Sequence, residues 1–252
     1  MSVADTMRNT RWIADFFILS CGLRRLHNTR LQRAVRAVLD EIDLQHLRDN
    51  HPCRQCADRS EMYKFVNGAV IKDAAIDFLE FGVFRGDSIR YWSTINRHPE
   101  SRFYGFDSFE GLPAAWREGQ GKGHFNVGGA LPEIADTRVR FVKGWFDETI
   151  PQFVKDFVPK NRMLLHFDAD LYSSTLMPLV YFMSSFRAGS LLIFDEFYDR
   201  DHEFKAFQDF LKLSKSQYRI VCATKNYGKV CIELSSLRRF SIFTATRLVE
   251  NN

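Results

Sequence analysis

From residue 75 onward, strand-length apolar runs recur along the chain with gaps long enough to hold helices, and this alternation restricts the fold more than any other feature. The runs are AIDFLEFGV (75–83), SRFYGFD (101–107), RVRFVKG (138–144), RMLLHFDAD (162–170) and SLLIFDEF (190–197). Parallel neighbours need crossovers of a dozen or more residues, so the pattern predicts a doubly wound α/β sheet. Further on, YRIVCAT (218–224) and KVCIEL (229–234) are separated only by KNYG. So short a link predicts an antiparallel hairpin. The expected sheet thus has seven strands, most of them parallel.

Two of the runs end in pairs of carboxylates. HFDADLYSST (166–175) supplies Asp168 and Asp170, and SLLIFDEFYD (190–199) supplies Asp195 and Glu196. Ligand sites in open α/β sheets lie beyond the carboxyl ends of the strands, where these four side chains would converge. Several hard oxygen donors in one place suit Mg²⁺ or another divalent ion. The hydroxyls of Ser173, Ser174 and Thr175 are read as caps of the following helix, and His166 and Phe167 as core or sheet-face residues.

The first run passes through Glu80 and Gly82 to Gly86 in LEFGVFRGDS, a strand-to-helix turn whose helix amino end can receive a polar ligand group. A dinucleotide fingerprint starting at Gly82 would need glycine at 84 and 87, where this chain has Phe84 and Asp87. That absence argues against an NAD-dependent oxidoreductase. Asp107 ends the second strand 25 residues after Gly82, where an acidic side chain can bind ribose hydroxyls. A nucleoside ligand lacking a diphosphate satisfies both observations, and S-adenosylmethionine is such a ligand.

Before the sheet, Leu31, Val35, Val38, Leu39, Ile42 and Leu47 recur at helical spacing, and a second helix is expected around 59–70. Residues 1–72 are therefore read as a helical layer that serves the substrate or an oligomer, and 73–252 as the cofactor-binding domain. Residues 1–39 hold seven Arg against two Asp, a basic surface suited to an acidic acceptor or a membrane-bound glycan, with a plain solvated helix as the alternative. WIADFFILSCGL (12–23) contains Asp15 and is too short to span a bilayer, and no cleavage site follows, so a cytoplasmic location is expected. Five cysteines do not make a disulfide framework, and HPCRQC (51–56) is at most half a zinc site. The 24 phenylalanines fit either a packed core or a homo-oligomeric interface. The stretch 111–132, with six Gly and two Pro, reads as a mobile lid. No nucleic-acid partner is expected.

In order, EFGVFRGDS, YGFDSFEGLP, GWFDETIP, HFDADLYSST and IFDEF resemble the TylF-like (macrocin O-methyltransferase) family of metal-dependent class I methyltransferases, over about residues 75–235. The resemblance implies that Glu80, Gly82, Gly86 and Ser88 line the methionine part of S-adenosylmethionine, that Asp107 holds its ribose, and that Trp145 and Phe146 lie near the adenine. It further implies Asp168, Asp195 and Glu196 as Mg²⁺ ligands and Asp170 as general base; apart from the resemblance, His202 in DRDHEF is read as a rival base or a plain surface histidine. Glu196 stands where the family often has Asp, and its longer reach sets it apart. The implied acceptor is a hydroxyl of a sugar or polyol on a secondary metabolite or glycan, with a catechol as the alternative. A non-catalytic nucleotide-binding scaffold carries the same motifs.

Overall fold

The computed structural model describes residues 52–236; the basic amino-terminal segment and the helix expected over 29–49 lie outside them. The described residues belong to one compact unit. Its sheet has eight strands: β1 (Arg54–Cys56), β2 (Ile76–Phe81), β3 (Arg102–Asp107), β4 (Val139–Lys143), β5 (Arg162–Phe167), β6 (Leu191–Phe194), β7 (Gln217–Thr224) and β8 (Val230–Ser236). In space they run β1-β7-β8-β6-β5-β2-β3-β4. All seven expected strands are present, and the terminal hairpin β7/β8 is antiparallel, as is β8 against β6. The remaining pairs are parallel. The unexpected member is β1, three residues on the edge beside β7, with two of them exposed.

Burial explains which strands sit in the middle. All six residues of β2 are buried, whereas β4 on the outer edge has only half-buried and exposed residues. The chain leaves β2 toward β3 and β4, then returns to β2's other side as β5. That reversal opens a crevice beyond the carboxyl ends of β2 and β5. Just below it, Phe106, Phe81, Phe167 and Phe194 are register partners on four neighbouring strands. Their rings stack with centroids 4.9, 5.6 and 4.8 Å apart. Phe153, Phe157 and Phe182 pack against this region, so much of the aromatic content lies inside the core.

Helices cover the sheet: α1 (Arg59–Phe65), α2 (Asp87–Ile95), α3 (Phe146–Asp156), α4 (Tyr172–Tyr181) and α5 (Glu203–Ser214). α1 begins with reciprocal capping. Asp58 accepts from the Glu61 amide at 2.9 Å while Glu61 accepts from the Ala57 amide at 2.7 Å. It continues through a wider turn over Val66–Ile71 and buries Met62, Tyr63 and Val66 in the core beside Phe78 and Trp92. The expected helix around 59–70 is thus packed on the sheet. At the opposite edge from the crevice, Asp77 binds Arg102 at 2.8 and 2.6 Å, the Lys160 and Asn161 amides, and the Asn161 side chain. These donors hold its carboxyl below the usual range despite burial.

Cys53, Cys56, Cys222 and Cys231 are free thiols. Cys222 and Cys231 face each other across β7/β8. Burial pushes the Cys56 thiol up to about 11. Among the described residues, no helix is long and apolar enough to cross a membrane.

Candidate active site

A cavity of about 410 Å³ opens over the crevice, within the usual range for small-molecule sites. Gly82, Asp107, Trp145, Phe146, Asp168 and Asp170 line it, which brings together six residues singled out from sequence. Each of the stacked phenylalanines is followed by one candidate site residue: Gly82, Asp107, Asp168 and Asp195. The core below therefore sets the level from which the site is built.

Gly82 has φ +89°, and a Cβ there would meet the Asp168 carbonyl oxygen at 1.9 Å. The glycine is needed because β2 and the end of β5 close on each other above the sheet. Gly86, at φ +77°, precedes the first residue of α2, and its missing side chain leaves room for Pro132. Asp107 is already engaged. Oδ2 accepts from the Val83 and Phe84 amides at 2.7 and 2.8 Å, and Oδ1 from the Phe109 amide at 2.7 Å. A carboxylate has about four acceptor positions, so capacity for hydroxyl donors remains.

Asp170 departs from the strand. β5 ends at Phe167, and Asp170 sits at φ +59°, a left-handed conformation that Asp tolerates better than most residues. Burial and then the Glu196 charge push its carboxyl up to about 7. Asp168 is raised as well, by burial and then by Asp195. Burial opposes ionisation of Asp195 too, but His166 and Lys229 outweigh it and hold that group down at about 2.

Asp195 and Glu196 do not line the cavity. Lys229 donates to Asp195 Oδ2 and, at 3.2 Å, to its carbonyl. Glu196 lies 3.8 Å from Arg117. Among the described residues, no group of three or more His, Cys, Asp or Glu is gathered into a metal-holding arrangement. The donor chemistry nevertheless fits a hard dication. Asp195 Oδ1 and Glu196 Oε2 are buried without a hydrogen-bond partner, beside carboxyls whose ionisation their neighbours oppose. What fits is charge and donor type, with side-chain movement required to close a cage.

Glu80 and Ser88 are buried next to the site and not on its wall. Glu80 Oε1 meets His166 Nδ1 at 2.9 Å, and His166 Nε2 meets the Tyr63 hydroxyl at 2.9 Å. Burial alone would depress His166, but the Asp195 and Glu80 carboxylates hold it up to about 9. His202 is also off the wall, and its Nδ1 accepts from the Tyr172 amide at 3.2 Å. It therefore does the capping of α4 that was assigned to the serines and threonine. Ser173 and Ser174 face the cavity, and Thr175 donates to the Leu171 carbonyl.

Sequence reasoning missed the apolar wall of Phe84, Phe125 and Met177. The 111–132 stretch is folded back on itself. The Gly123 amide donates to the Leu112 carbonyl and the Leu112 amide to the His124 carbonyl, while the Trp116 amide donates to the Gln120 carbonyl and the Gln120 amide to that of Arg117. Trp116 Nε1 donates to Asp199 Oδ2 at 3.1 Å, tying this loop to the segment after β6. The loop residues Gly111, Leu112 and Pro113 border the cavity.

A family model described as Macrocin-O-methyltransferase (TylF) matches residues 59–221. A curated relative is 8-demethyl-8-(2,3-dimethoxy-alpha-L-rhamnosyl)-tetracenomycin-C 4'-O-methyltransferase of Streptomyces olivaceus, 31% identical over 142 residues. That match spans 48% of this chain and 52% of the relative, so the chain spans about half of the relative's length. Among solved structures, the O-methyltransferase NovP superposes with a TM-score of 0.57 at 18% identity, covering 80% of this chain and all of that one. CalS11, a calicheamicin methyltransferase, gives 0.54 at 19% identity, covering 82% and 94%. These two share the fold.

Proposed function

The chain belongs to the macrocin O-methyltransferase family, and from that premise we propose that it moves a methyl group from S-adenosylmethionine to a hydroxyl of a sugar or polyol carried by a secondary metabolite or glycan. The observation that carries this reading is the convergence of Gly82, Asp107, Trp145, Phe146, Asp168 and Asp170 on one cavity at the switch in strand order. When bound, the cofactor supplies an electrophilic methyl on sulfur.

The residues divide the work. Asp107 takes the ribose hydroxyls with its remaining acceptor capacity, while its bonds to Val83 and Phe84 fix the loop that closes over β2. Trp145 and Phe146 offer an aromatic wall for the adenine. Asp168, Asp195 and Glu196 would hold Mg²⁺, which supplies charge that lowers the pKa of an acceptor hydroxyl. Asp170 receives the hydroxyl proton, and its carboxyl, pushed up to about 7, is matched to that task near neutral pH. Phe84, Phe125 and Met177 keep water from the reacting face.

The acceptor class follows the named activity of the curated relative on a rhamnosyl group. The test is labelled methyl transfer from S-adenosylmethionine to glycosylated metabolites and, in parallel, to catechols. Label on a sugar hydroxyl supports the reading, and label confined to catechols moves the chain to the catechol class. Binding of NAD without any binding of S-adenosylhomocysteine would discard the cofactor assignment.

A further inference from the structure

We propose that Tyr63 and His166 form a buried positioning relay that orients Glu80 and Ser88 for the amino-acid end of the cofactor. This rests on the S-adenosylmethionine reading above and adds two residues to it, one of them from the helix that precedes the sheet.

The geometry is a continuous line of polar groups through an apolar core. Glu80 on β2 and His166 on β5 are register partners on adjacent parallel strands, and Nδ1 stands 2.9 Å from Oε1. Nε2 stands 2.9 Å from the hydroxyl oxygen of Tyr63, and the Ser88 side chain at the start of α2 lies near that hydroxyl. Tyr63, Glu80 and His166 are each no more than 1% exposed. Rings hold the relay in place. Tyr63 packs on Trp92 with centroids 5.1 Å apart and meets His166 edge-on, while His166 lies over Phe78.

Stability alone does not call for this arrangement, because apolar residues of similar volume commonly serve a core as well as buried charges do. The line is also incomplete. Glu80 Oε2 is buried without a partner, so one carboxylate oxygen is fixed by His166 and the other is left as an acceptor. Glu80 lies on β2 two residues before the cavity-lining Gly82, which follows the strand's end, and Ser88 lies two residues after the turn at Gly86. An ammonium group donates to a carboxylate and to a hydroxyl, which is the pair that the relay sets in position. His166 directs Glu80, Tyr63 holds His166 from its other nitrogen beside Ser88, and neither needs to touch the ligand.

The experiment compares two ligands on the full chain by calorimetry. S-adenosylhomocysteine has the amino-acid end, whereas 5'-methylthioadenosine has the same nucleoside and thioether without it. Tyr63→Phe removes one hydroxyl and keeps the ring. It is expected to weaken S-adenosylhomocysteine about 5- to 10-fold, the scale of one hydrogen bond, with 5'-methylthioadenosine changed less than about twofold. His166→Gln, checked for folding by circular dichroism, is expected to show the same selectivity with a larger loss. Equal losses for the two ligands would reduce the relay to a structural role and overturn the proposal, as would no loss for either. If the unmodified chain binds neither ligand, the cofactor reading fails and the proposal fails with it. Should His166→Gln not fold, Tyr63→Phe alone decides.

Discussion

A Cβ added to Gly82 would stand 1.9 Å from the backbone carbonyl oxygen of Asp168, so the turn after β2 and the acidic end of β5 occupy one another's space. The contact is backbone to backbone, reinforced by the Asp168 amide donating to the Phe81 carbonyl at 2.9 Å. No side-chain rotation can relieve it. Gly82→Ala is expected to destabilise the fold by roughly 2 to 4 kcal/mol, combining strain at positive φ with forced separation of the strands. Thermal unfolding measures this. A melting temperature within a degree of the parent would show that the turn relaxes freely.

Asp77 gives a prediction about acid. Its folded-state pKa is depressed below the unfolded value by Arg102 and the loop amides, so its contribution is present above about pH 4 and is lost as pH falls through the lower folded value. Asp77→Asn should destabilise the chain by about 2 to 4 kcal/mol at pH 7, because Arg102 loses its charged partner. The gap between variant and parent should narrow below pH 4. A gap constant from pH 7 to pH 3 would assign the loss to packing.

Asp170 gives a prediction about rate. Asp170→Asn should keep S-adenosylhomocysteine affinity while turnover falls about 10²- to 10⁴-fold, the range for loss of a general base. With the carboxyl held up to about 7, the parent rate should climb as pH rises through that value. The variant should recover part of its rate only in stronger base, where the acceptor ionises unaided. Near-parent turnover in Asp170→Asn beside inactive His202→Ala would give the proton to His202, which in this structure is committed to the Tyr172 amide.

One oxygen each of Asp195 and Glu196, Oδ1 and Oε2, lacks a hydrogen bond, and this gives a prediction about metal. Chelation should abolish turnover, Mg²⁺ should restore it, and S-adenosylhomocysteine should bind in chelator with little change. Asp195→Asn should weaken Mn²⁺ binding, followed by electron paramagnetic resonance, at least about 10-fold. Full turnover in chelator would leave proton transfer to Asp170 without a metal.

The seven long strands were legible because each is a strand-length apolar run, and the sharp link KNYG announced the hairpin. β1 was not, since RQC has no apolar period and exists by pairing with β7 more than 160 residues later. The acidic residues were legible as the ends of apolar runs. Their partners were not. Lys229 reaches Asp195, Arg117 approaches Glu196 and Tyr63 meets His166 across separations that no local pattern encodes. His166 was read as a core residue, and it is fully buried, but its ring nitrogens join two elements. The left-handed turn at Asp170 likewise depends on where β5 stops, which sequence alternation alone would have extended.

The row Phe106, Phe81, Phe167 and Phe194 sorts the positions above it by how freely they can be rewritten. Each ring is held by its neighbours, and stacking adds about 0.5 to 1.5 kcal/mol per pair beyond burial, so changes within the row disturb several strands together. One residue further along, Asp107, Asp168 and Asp195 stand outside that shared stack. Drift in reactivity is therefore cheapest at the rim, where exchanging one carboxylate leaves the aromatic foundation intact. A chain built this way can be rewritten at its upper edge and loops while the sheet beneath stays the same.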